Sequence, residues 1–218
     1  MKLKGAIFDL DGVLVNTVPL HFKAWQRMFE EYGHAFSLTE YLKKVDGRPR
    51  DDGTRAILTD LDEGEIERAG LKKQEYFQEL LEKDPIEIFK SSVALAEELV
   101  EAGIKTAVAS SSKNTVAILE RTGLAGLFVA VITGNDFKKG KPDPEIFLLA
   151  ARQLGVKPKE CVVFEDAKAG VEAARSGGFF GVGIDRHNDP GDLAAADVVV
   201  ADLSEITLQD IISKMEHR

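Results

Sequence analysis

The stretch Ala6-Ile7-Phe8-Asp9-Leu10-Asp11-Gly12 decides the fold of this 218-residue chain, because an apolar run stops abruptly at an acidic turn. Such a run is typical of a short buried strand, and the glycine marks a turn. Similar apolar runs recur at residues 106–109, 129–132, 161–164, 181–184 and 198–200. Segments of helical period lie between them, at residues 91–102, 115–122, 144–154 and 169–176. This alternation predicts an α/β fold, a doubly wound parallel sheet of the Rossmann type with helices on both faces.

One long segment departs from the alternation. Residues 18–84 carry helical patterns and no convincing strand. We therefore predict two domains, a core of residues 1–17 and 85–218, and an inserted all-helical domain of residues 18–84 that acts as a lid. The last residues, 215–218, are expected to be frayed.

The net charge of the chain argues against two classes of partner. A net charge of −9 and a pI near 5.1 disfavour nucleic acid and anionic membranes. A small anionic ligand stays compatible, because a few local cations and backbone N–H groups suffice to bind it. No apolar run approaches the roughly 20 residues that span a bilayer, so we expect a cytoplasmic protein. We also expect it to be a monomer. The single cysteine, Cys161, lies in an apolar run and is expected to be a core thiol.

Polar side chains follow the predicted strands where each of them ends. They are Asp9 and Asp11 after the first run, Ser110 after the second, Lys141 in the loop before residues 144–154, and Glu165 and Asp166 after residues 161–164. The carboxyl ends of parallel strands meet at one edge of the sheet, so these groups should cluster there. Clustered carboxylates repel one another unless a cation lies among them, and an oxygen-only set favours Mg²⁺.

The same residue types suit phosphoryl transfer. Asp9, directly at a strand end, can attack phosphorus and form an acyl phosphate, and Asp11 can carry the proton. Ser110 and Lys141 can bind the phosphoryl oxygens. Each set alone is also explained as a turn or a helix cap. Four sets in this order at strand ends favour a catalytic site.

These sets resemble the four-motif signature of the haloacid-dehalogenase superfamily. The matching residues are Asp9-Leu10-Asp11-Gly12-Val13-Leu14, Ser110, Lys141-Pro142-Asp143-Pro144 and Glu165-Asp166-Ala167-Lys168-Ala169-Gly170. The Asp-x-Asp form is that of its phosphatase and phosphotransferase branch, and the insertion is similar to its small helical cap. The resemblance implies that Asp9 is the nucleophile, Asp11 the general acid/base, and Ser110 and Lys141 the phosphoryl-binding groups. It also implies that Mg²⁺ is held by the Asp9 carboxylate, the Asp11 backbone carbonyl, Glu165 and Asp166, directly or through water.

Further matches are similar to the β-phosphoglucomutase group within that superfamily. The substrate-binding residues that they imply are His21 and Trp25 at the hinge, Gly47 and Arg50 in the substrate loop, Lys72 on a helix of the insertion, and Ser111, Ser112, Lys113 and Asn114 after the second strand. Lys73 is an alternative to Lys72. Trp25 is also explained by core packing and Lys72 by a solvated helix surface, whereas His21 can gate Asp11.

Two segments depart from that group's pattern. Arg48-Pro49 and Gly53 stand where a typical mutase has Val-Ser and Ser, and Phe89-Lys90-Ser91 stands where the family has a Pro-Gly turn at the return to the core. The first departure adds a cation beside the substrate. It leaves open the identity of the sugar and the choice between mutase and phosphatase.

Three functions are compatible with these residues. The favoured one is a phosphomutase acting on a phosphorylated sugar with Mg²⁺, because Arg50, Lys113 and Asn114 can bind a second phosphate. The alternative is a sugar-phosphate phosphatase, in which water attacks the aspartyl phosphate. A non-catalytic binding domain would be expected to lack at least one residue of the four motifs, and none is missing.

Overall fold

The structure is a computed structural model that describes residues 2–45, 48, 50–186 and 189–218. The chain divides into two compact units. The core unit comprises Met1–Asn16 and Glu87–Arg218, and the helical unit comprises Thr17–Ile86.

Strands and helices alternate along the core unit. The strands are β1 (Gly5–Phe8), β2 (Val15–Asn16), β3 (Glu87–Ile88), β4 (Lys105–Ala109), β5 (Ala130–Ile132), β6 (Cys161–Glu165), β7 (Phe180–Ile184) and β8 (Val198–Val200). The helices of the chain are α1 (Val18–Glu31), α2 (Leu38–Glu40), α3 (Arg50–Arg55), α4 (Glu63–Lys83), α5 (Lys90–Glu101), α6 (Thr115–Thr122), α7 (Glu145–Leu154), α8 (Lys168–Ser176) and α9 (Leu208–Glu216). A π-helical turn, Tyr41–Val45, follows α2.

Six strands form one parallel sheet in the order β5-β4-β1-β6-β7-β8. If these six strands are numbered 1 to 6 in chain order, their order in the sheet is 3-2-1-4-5-6, which is the strand order of the Rossmann fold. In that fold, ligands bind where the winding direction reverses. Here the reversal lies between β1 and β6, which pair in register with Phe8 beside Phe164. The predicted doubly wound sheet is confirmed, and its reversal point lies at the residues that follow Phe8 and Phe164.

Alternating side chains of the central strands build a separate core on each face of the sheet. Ile7 and Val163 belong to the cluster that α7 and α8 cover. Phe8 and Phe164 point to the other face, where their rings stack with centroids 4.5 Å apart. The central strands are therefore buried on both faces, which explains why they are apolar without alternation.

Two features of the core unit differ from the sequence predictions. β2 and β3 pair as a short antiparallel ribbon that the sequence pattern did not reveal, because two residues are too few to show a period. The expectation of a frayed terminus is wrong. α9 runs to Glu216 with Met215 buried, and Arg218 Nε lies 3.0 Å from Asp197 Oδ1.

The helical unit contains only helical elements among its described residues. α1 packs along α4, and α4 begins with a capping box in which Asp62 and Glu65 satisfy each other's backbone N–H groups. Trp25 and Phe29 of α1 stack at 5.3 Å. In the described ranges, no helix combines the length and the apolarity needed to cross a membrane.

Gly5 lies where β1 contacts the segment leading into β6. A Cβ atom there would lie 2.4 Å from Cys161 Sγ and 3.0 Å from Val156 Cγ2. Cys161 is fully buried, and its burial raises the pKa of the thiol to about 12. The expected core thiol is confirmed, and its sulfur fills the space beside a glycine.

We predict that Gly5→Ala lowers the free energy of unfolding by about 1–3 kcal/mol, because the added methyl group overpacks a closed site. Urea unfolding of Gly5→Ala measures the loss, with Gly126→Ala as a control, since no atom lies within 4 Å of a Cβ at Gly126. In a Cys161→Ala background the cost of Gly5→Ala should shrink. An unchanged cost there would show that the sulfur is not the obstacle.

Candidate active site

Asp9 follows β1 directly and begins a tight loop, residues 9–12, called the reacting loop below. The Asp9 N–H donates to the Phe164 carbonyl at 3.0 Å, and the residue is 7% exposed. Gly12 has φ of 78°, and a Cβ there would lie 1.8 Å from Asp166 Oδ2. Only glycine suits this position, both for its backbone angle and for the close approach of Asp166.

Lys141 joins two of the acidic groups. Its ammonium group donates to Asp9 Oδ1 and to Glu165 Oε1, and all three side chains are almost completely buried. Glu165 is held further by the Ala167 N–H, which donates to Oε2 at 2.7 Å. A Cβ at Gly170 would lie 1.9 Å from Glu165 Oε1, so glycine in α8 makes room for the carboxylate.

Burial and mutual repulsion perturb the acids of this cluster. Burial, together with the charges of Glu165 and Asp11, raises the pKa of Asp9 to about 7 even though Lys141 opposes the shift. Burial and the charges of Glu165 and Asp9 also raise the pKa of Asp166 well above its usual value. Burial alone would lower the pKa of Lys141, but the carboxylates of Asp9 and Glu165 outweigh it and raise that pKa. One lysine does not neutralise the acids around it.

These acids fit a hard divalent cation. The described residues contain no group of three His, Cys, Asp or Glu side chains arranged as metal ligands. Mg²⁺ does not require one, because it commonly binds one or two carboxylates together with waters and substrate phosphate. Asp9 and Asp166 supply such a pair, and the raised pKa of each is the response expected of acids packed without a nearby second cation.

Ser110 lies at the end of β4, the neighbour of β1. It is buried, its N–H donates to the Ile132 carbonyl at 3.0 Å, and its Oγ accepts from the Ser112 N–H at 3.0 Å. The Asn114 N–H donates to Ser112 Oγ at 3.1 Å. Ser111 and Lys113 are exposed in this loop, which leads into α6. The loop is thus fixed by its own serines.

In the helical unit, Lys73 rather than Lys72 contacts a predicted site residue. The Lys73 ammonium lies 2.9 Å from His21 Nδ1, over the rings of Trp25 and Phe77. Burial, with the charge of Lys73, keeps the pKa of His21 well below its usual value, so the ring is neutral with its proton on Nε2. Lys72 is half-exposed and pairs with Glu75 at 3.0 Å.

Trp25 and Arg50 differ in exposure. Trp25 is 4% exposed and stacks on Phe29, as expected of a residue that packs in the core. Arg50 begins α3 with about a third of its side chain exposed, and its Nε lies 3.4 Å from Asp51 Oδ1. A Cβ at Gly70 of α4 would lie 2.9 Å from that Nε, so α4 leaves space for the guanidinium. Gly47 lies outside the described residues.

Arg186 is a residue that the sequence analysis missed. It follows β7, and its Nε–H donates to the Gly12 carbonyl at 2.8 Å. The sequence does contain a signal for this residue. Asp185 and Arg186 follow the apolar run 181–184, in the same way as the predicted site residues follow the other apolar runs.

Residues 3–178 match the haloacid dehalogenase-like hydrolase family. The chain is 37% identical over 240 residues to the β-phosphoglucomutase of Mycobacterium tuberculosis, covering 94% of this chain and 92% of that protein. It is 39% identical over 185 residues to a phosphorylated carbohydrates phosphatase of Thermotoga maritima, covering 81% and 82%. The crystal structure of β-phosphoglucomutase from Clostridium difficile matches with a TM-score of 0.86 at 28% identity, covering 99% and 98%. The chain therefore belongs to the haloacid dehalogenase-like hydrolase family, with similarity to its β-phosphoglucomutase group.

Proposed function

We propose that this enzyme is a Mg²⁺-dependent phosphomutase of the β-phosphoglucomutase type, which transfers the phosphoryl group of a sugar phosphate through an aspartyl phosphate on Asp9. One observation carries the transfer of the phosphoryl group to Asp9. The carboxylate of Asp9 is buried at the end of the central strand with the Lys141 ammonium on its Oδ1. A nucleophile for a dianionic phosphate needs such a fixed positive charge beside it.

The reaction proceeds in two balanced steps. A carboxylate oxygen of Asp9 attacks phosphorus, the bond between phosphorus and the sugar oxygen breaks, and Asp11 gives its proton to that oxygen. A hydroxyl at a different position of a bound sugar monophosphate then attacks the aspartyl phosphate, the bond between phosphorus and Asp9 breaks, and the hydroxyl loses its proton to Asp11. Asp9 is restored as a carboxylate and the sugar is now a bisphosphate. When the bisphosphate turns around and gives its other phosphoryl group to Asp9, the monophosphate that remains carries its phosphate at the new position.

The other groups of the site reduce the cost of bringing negative charges together. Lys141 and Ser110 donate to the phosphoryl oxygens, and Glu165 holds Lys141 in place. Asp9, Asp166 and the Asp11 carbonyl are the groups that would hold Mg²⁺, with Glu165 beside them. When bound, Mg²⁺ supplies positive charge where negative charge develops on the transferring group.

The second phosphate distinguishes a mutase from a phosphatase. A mutase must retain a bisphosphate while it turns around, and we assign Arg50, Lys113 and Asn114 to that phosphate. A phosphatase is the second candidate, supported by the 39% identity to the Thermotoga protein. ³¹P NMR of the enzyme with Mg²⁺, β-glucose 1-phosphate and a trace of bisphosphate separates the two. Isomerisation supports the mutase, and release of inorganic phosphate supports the phosphatase.

We predict that Asp9→Asn lowers turnover by at least about a thousandfold, because the amide keeps the shape of the side chain but forms no acyl phosphate. The ³¹P NMR assay measures the loss, and circular dichroism checks the fold. Asp192→Asn is the control, since Asp192 is an exposed aspartate of the same unit. Turnover of Asp9→Asn near the wild-type rate would exclude this nucleophile.

We predict that Mg²⁺ raises the melting temperature more at about pH 8 than at about pH 6. The pKa of Asp9 is about 7 in the metal-free protein, so the folded state keeps a proton there that the unfolded state releases at lower pH. The metal-free protein therefore loses stability as the pH rises through this range, and Mg²⁺ binding, which needs the carboxylates ionised, offsets the loss. Differential scanning fluorimetry measures both effects.

Two comparisons sharpen this test. Ca²⁺ should replace Mg²⁺ poorly, because it prefers more ligands at longer distances. In Asp9→Asn the Mg²⁺-induced shift should depend less on pH. A shift in the wild type that does not change between the two pH values would contradict the metal assignment.

We predict that Arg50→Ala impairs isomerisation by roughly a hundredfold, because a charge-assisted contact to the non-reacting phosphate is lost. Hydrolysis of acetyl phosphate, which has no second phosphate, should change far less. Arg55→Ala, in the same helix, is the control, because Arg55 pairs with Asp52 and Glu63 at the surface. Equal losses of Arg50→Ala on both substrates would remove the main support for the mutase.

A further inference from the structure

Arg186 connects the reacting loop to Phe89-Lys90-Ser91, the segment by which the chain returns to the core unit, called the returning segment below. Its Nε–H donates to the Gly12 carbonyl at 2.8 Å, and its guanidinium carbon lies 3.8 Å from the centroid of the Phe89 ring. Nη1 lies 3.4 Å from Asp202 Oδ2, and the side chain is 16% exposed. A single planar group therefore makes an edge contact with the loop and a face contact with the returning segment.

The groups around the guanidinium are themselves fixed. Ser91 Oγ donates to Asp202 Oδ2 at 2.8 Å. Partial burial would raise the pKa of Asp202, but hydrogen bonds from Ser204, Ser91 and Arg186 lower it to about 2, so this carboxylate is ionised. The Phe89 N–H donates to the Leu14 carbonyl at 3.0 Å, next to the β2–β3 ribbon. Phe89 and Ser91 are two of the residues that replace the expected Pro-Gly turn.

The bond from Arg186 acts on the part of the reacting loop that carries the proton-transfer group. The Gly12 carbonyl belongs to the residue after Asp11, and Gly12 has left-handed backbone angles against the side chain of Asp166. A hydrogen bond to that carbonyl restricts rotation of the Gly12–Val13 peptide and, through it, the direction of Asp11. A misdirected general acid slows the step that needs its proton and leaves substrate binding unchanged.

We propose that Arg186 is a positioning residue for Asp11, which it holds through the Gly12 carbonyl while Phe89 and Asp202 hold the guanidinium and Ser91 holds Asp202. This inference rests on the proposed phosphoryl transfer. Arginine is required because its Nε–H points along one edge while its face stacks on the ring, and lysine offers neither. The contact is with backbone and not with substrate, so its loss should change kcat and leave KM nearly constant.

The test uses two substrates that differ in their need for a proton. A sugar phosphate releases an alcohol oxygen that Asp11 must protonate, whereas acetyl phosphate releases acetate, which leaves without a proton. We predict that Arg186→Met lowers kcat for the sugar phosphate by about tenfold or more with KM within about twofold. Phosphorylation of Asp9 by acetyl phosphate, followed by rapid-quench mass spectrometry, should stay within about threefold of the wild type.

Controls separate this role from a structural one. Arg152→Met makes the same change at an exposed arginine of α7 and should leave both rates unchanged. Arg186→Lys keeps a charge for Asp202 without the planar edge, so it should show the same split between substrates. It keeps the test open if Arg186→Met does not fold, which melting temperatures will reveal.

Three results would overturn the inference. Equal losses on both substrates would assign Arg186 to the fold, a raised KM at constant kcat would make it a substrate ligand, and unchanged rates would remove its role. None of these touches the proposed function, because Asp9→Asn tests that separately. A wild-type protein that is never phosphorylated would instead overturn the proposed function itself.

Discussion

The structure of the core unit depends on the ammonium group of Lys141 between the carboxylates of Asp9 and Glu165. Burying an unpaired carboxylate is strongly unfavourable, so two buried acids at adjacent strand ends require a cation of the chain's own. The raised pKa values of Asp9 and Asp166 show that this compensation is incomplete. A site with excess negative charge binds a phosphate weakly unless further positive charge is added. The burial of these acids is therefore the reason why the proposed Mg²⁺ is needed.

Glycines make this concentration of acids sterically feasible. Gly12 admits the carboxylate of Asp166, and Gly170 admits that of Glu165, each at a distance no Cβ would allow. Both belong to the four sequence motifs, Gly12 to the first and Gly170 to the last. Glycine is needed at both positions because the loop and the helix bring the backbone close to a carboxylate.

Structural features that produce a local hydrophobic pattern can be predicted from the sequence, whereas features that depend on tertiary contacts cannot. The parallel sheet was predictable because each buried strand is a separate apolar run, and so was the position of Asp9, Ser110 and Glu165 at strand ends. The choice between Lys72 and Lys73 was not, because adjacent helix positions differ by about 100° in direction and only the packing of α4 decides which one faces His21. The order at residues 215–218 was not predictable from local pattern, because these residues end α9, whose start is marked by the capping box of Thr207 with Asp210.

The departure at Phe89-Lys90-Ser91 and the contact from Arg186 explain each other. A Pro-Gly turn would return the chain to the core tightly, but it offers neither a ring to stack on nor a hydroxyl to fix a carboxylate. Here the Phe89 ring supports the face of Arg186, and Ser91 holds Asp202, which pairs with the same guanidinium. The returning segment thereby acts on the Gly12 carbonyl through a side chain from beyond β7. A change that looks like the loss of a turn in the sequence is, in the folded chain, part of the support of the reacting loop.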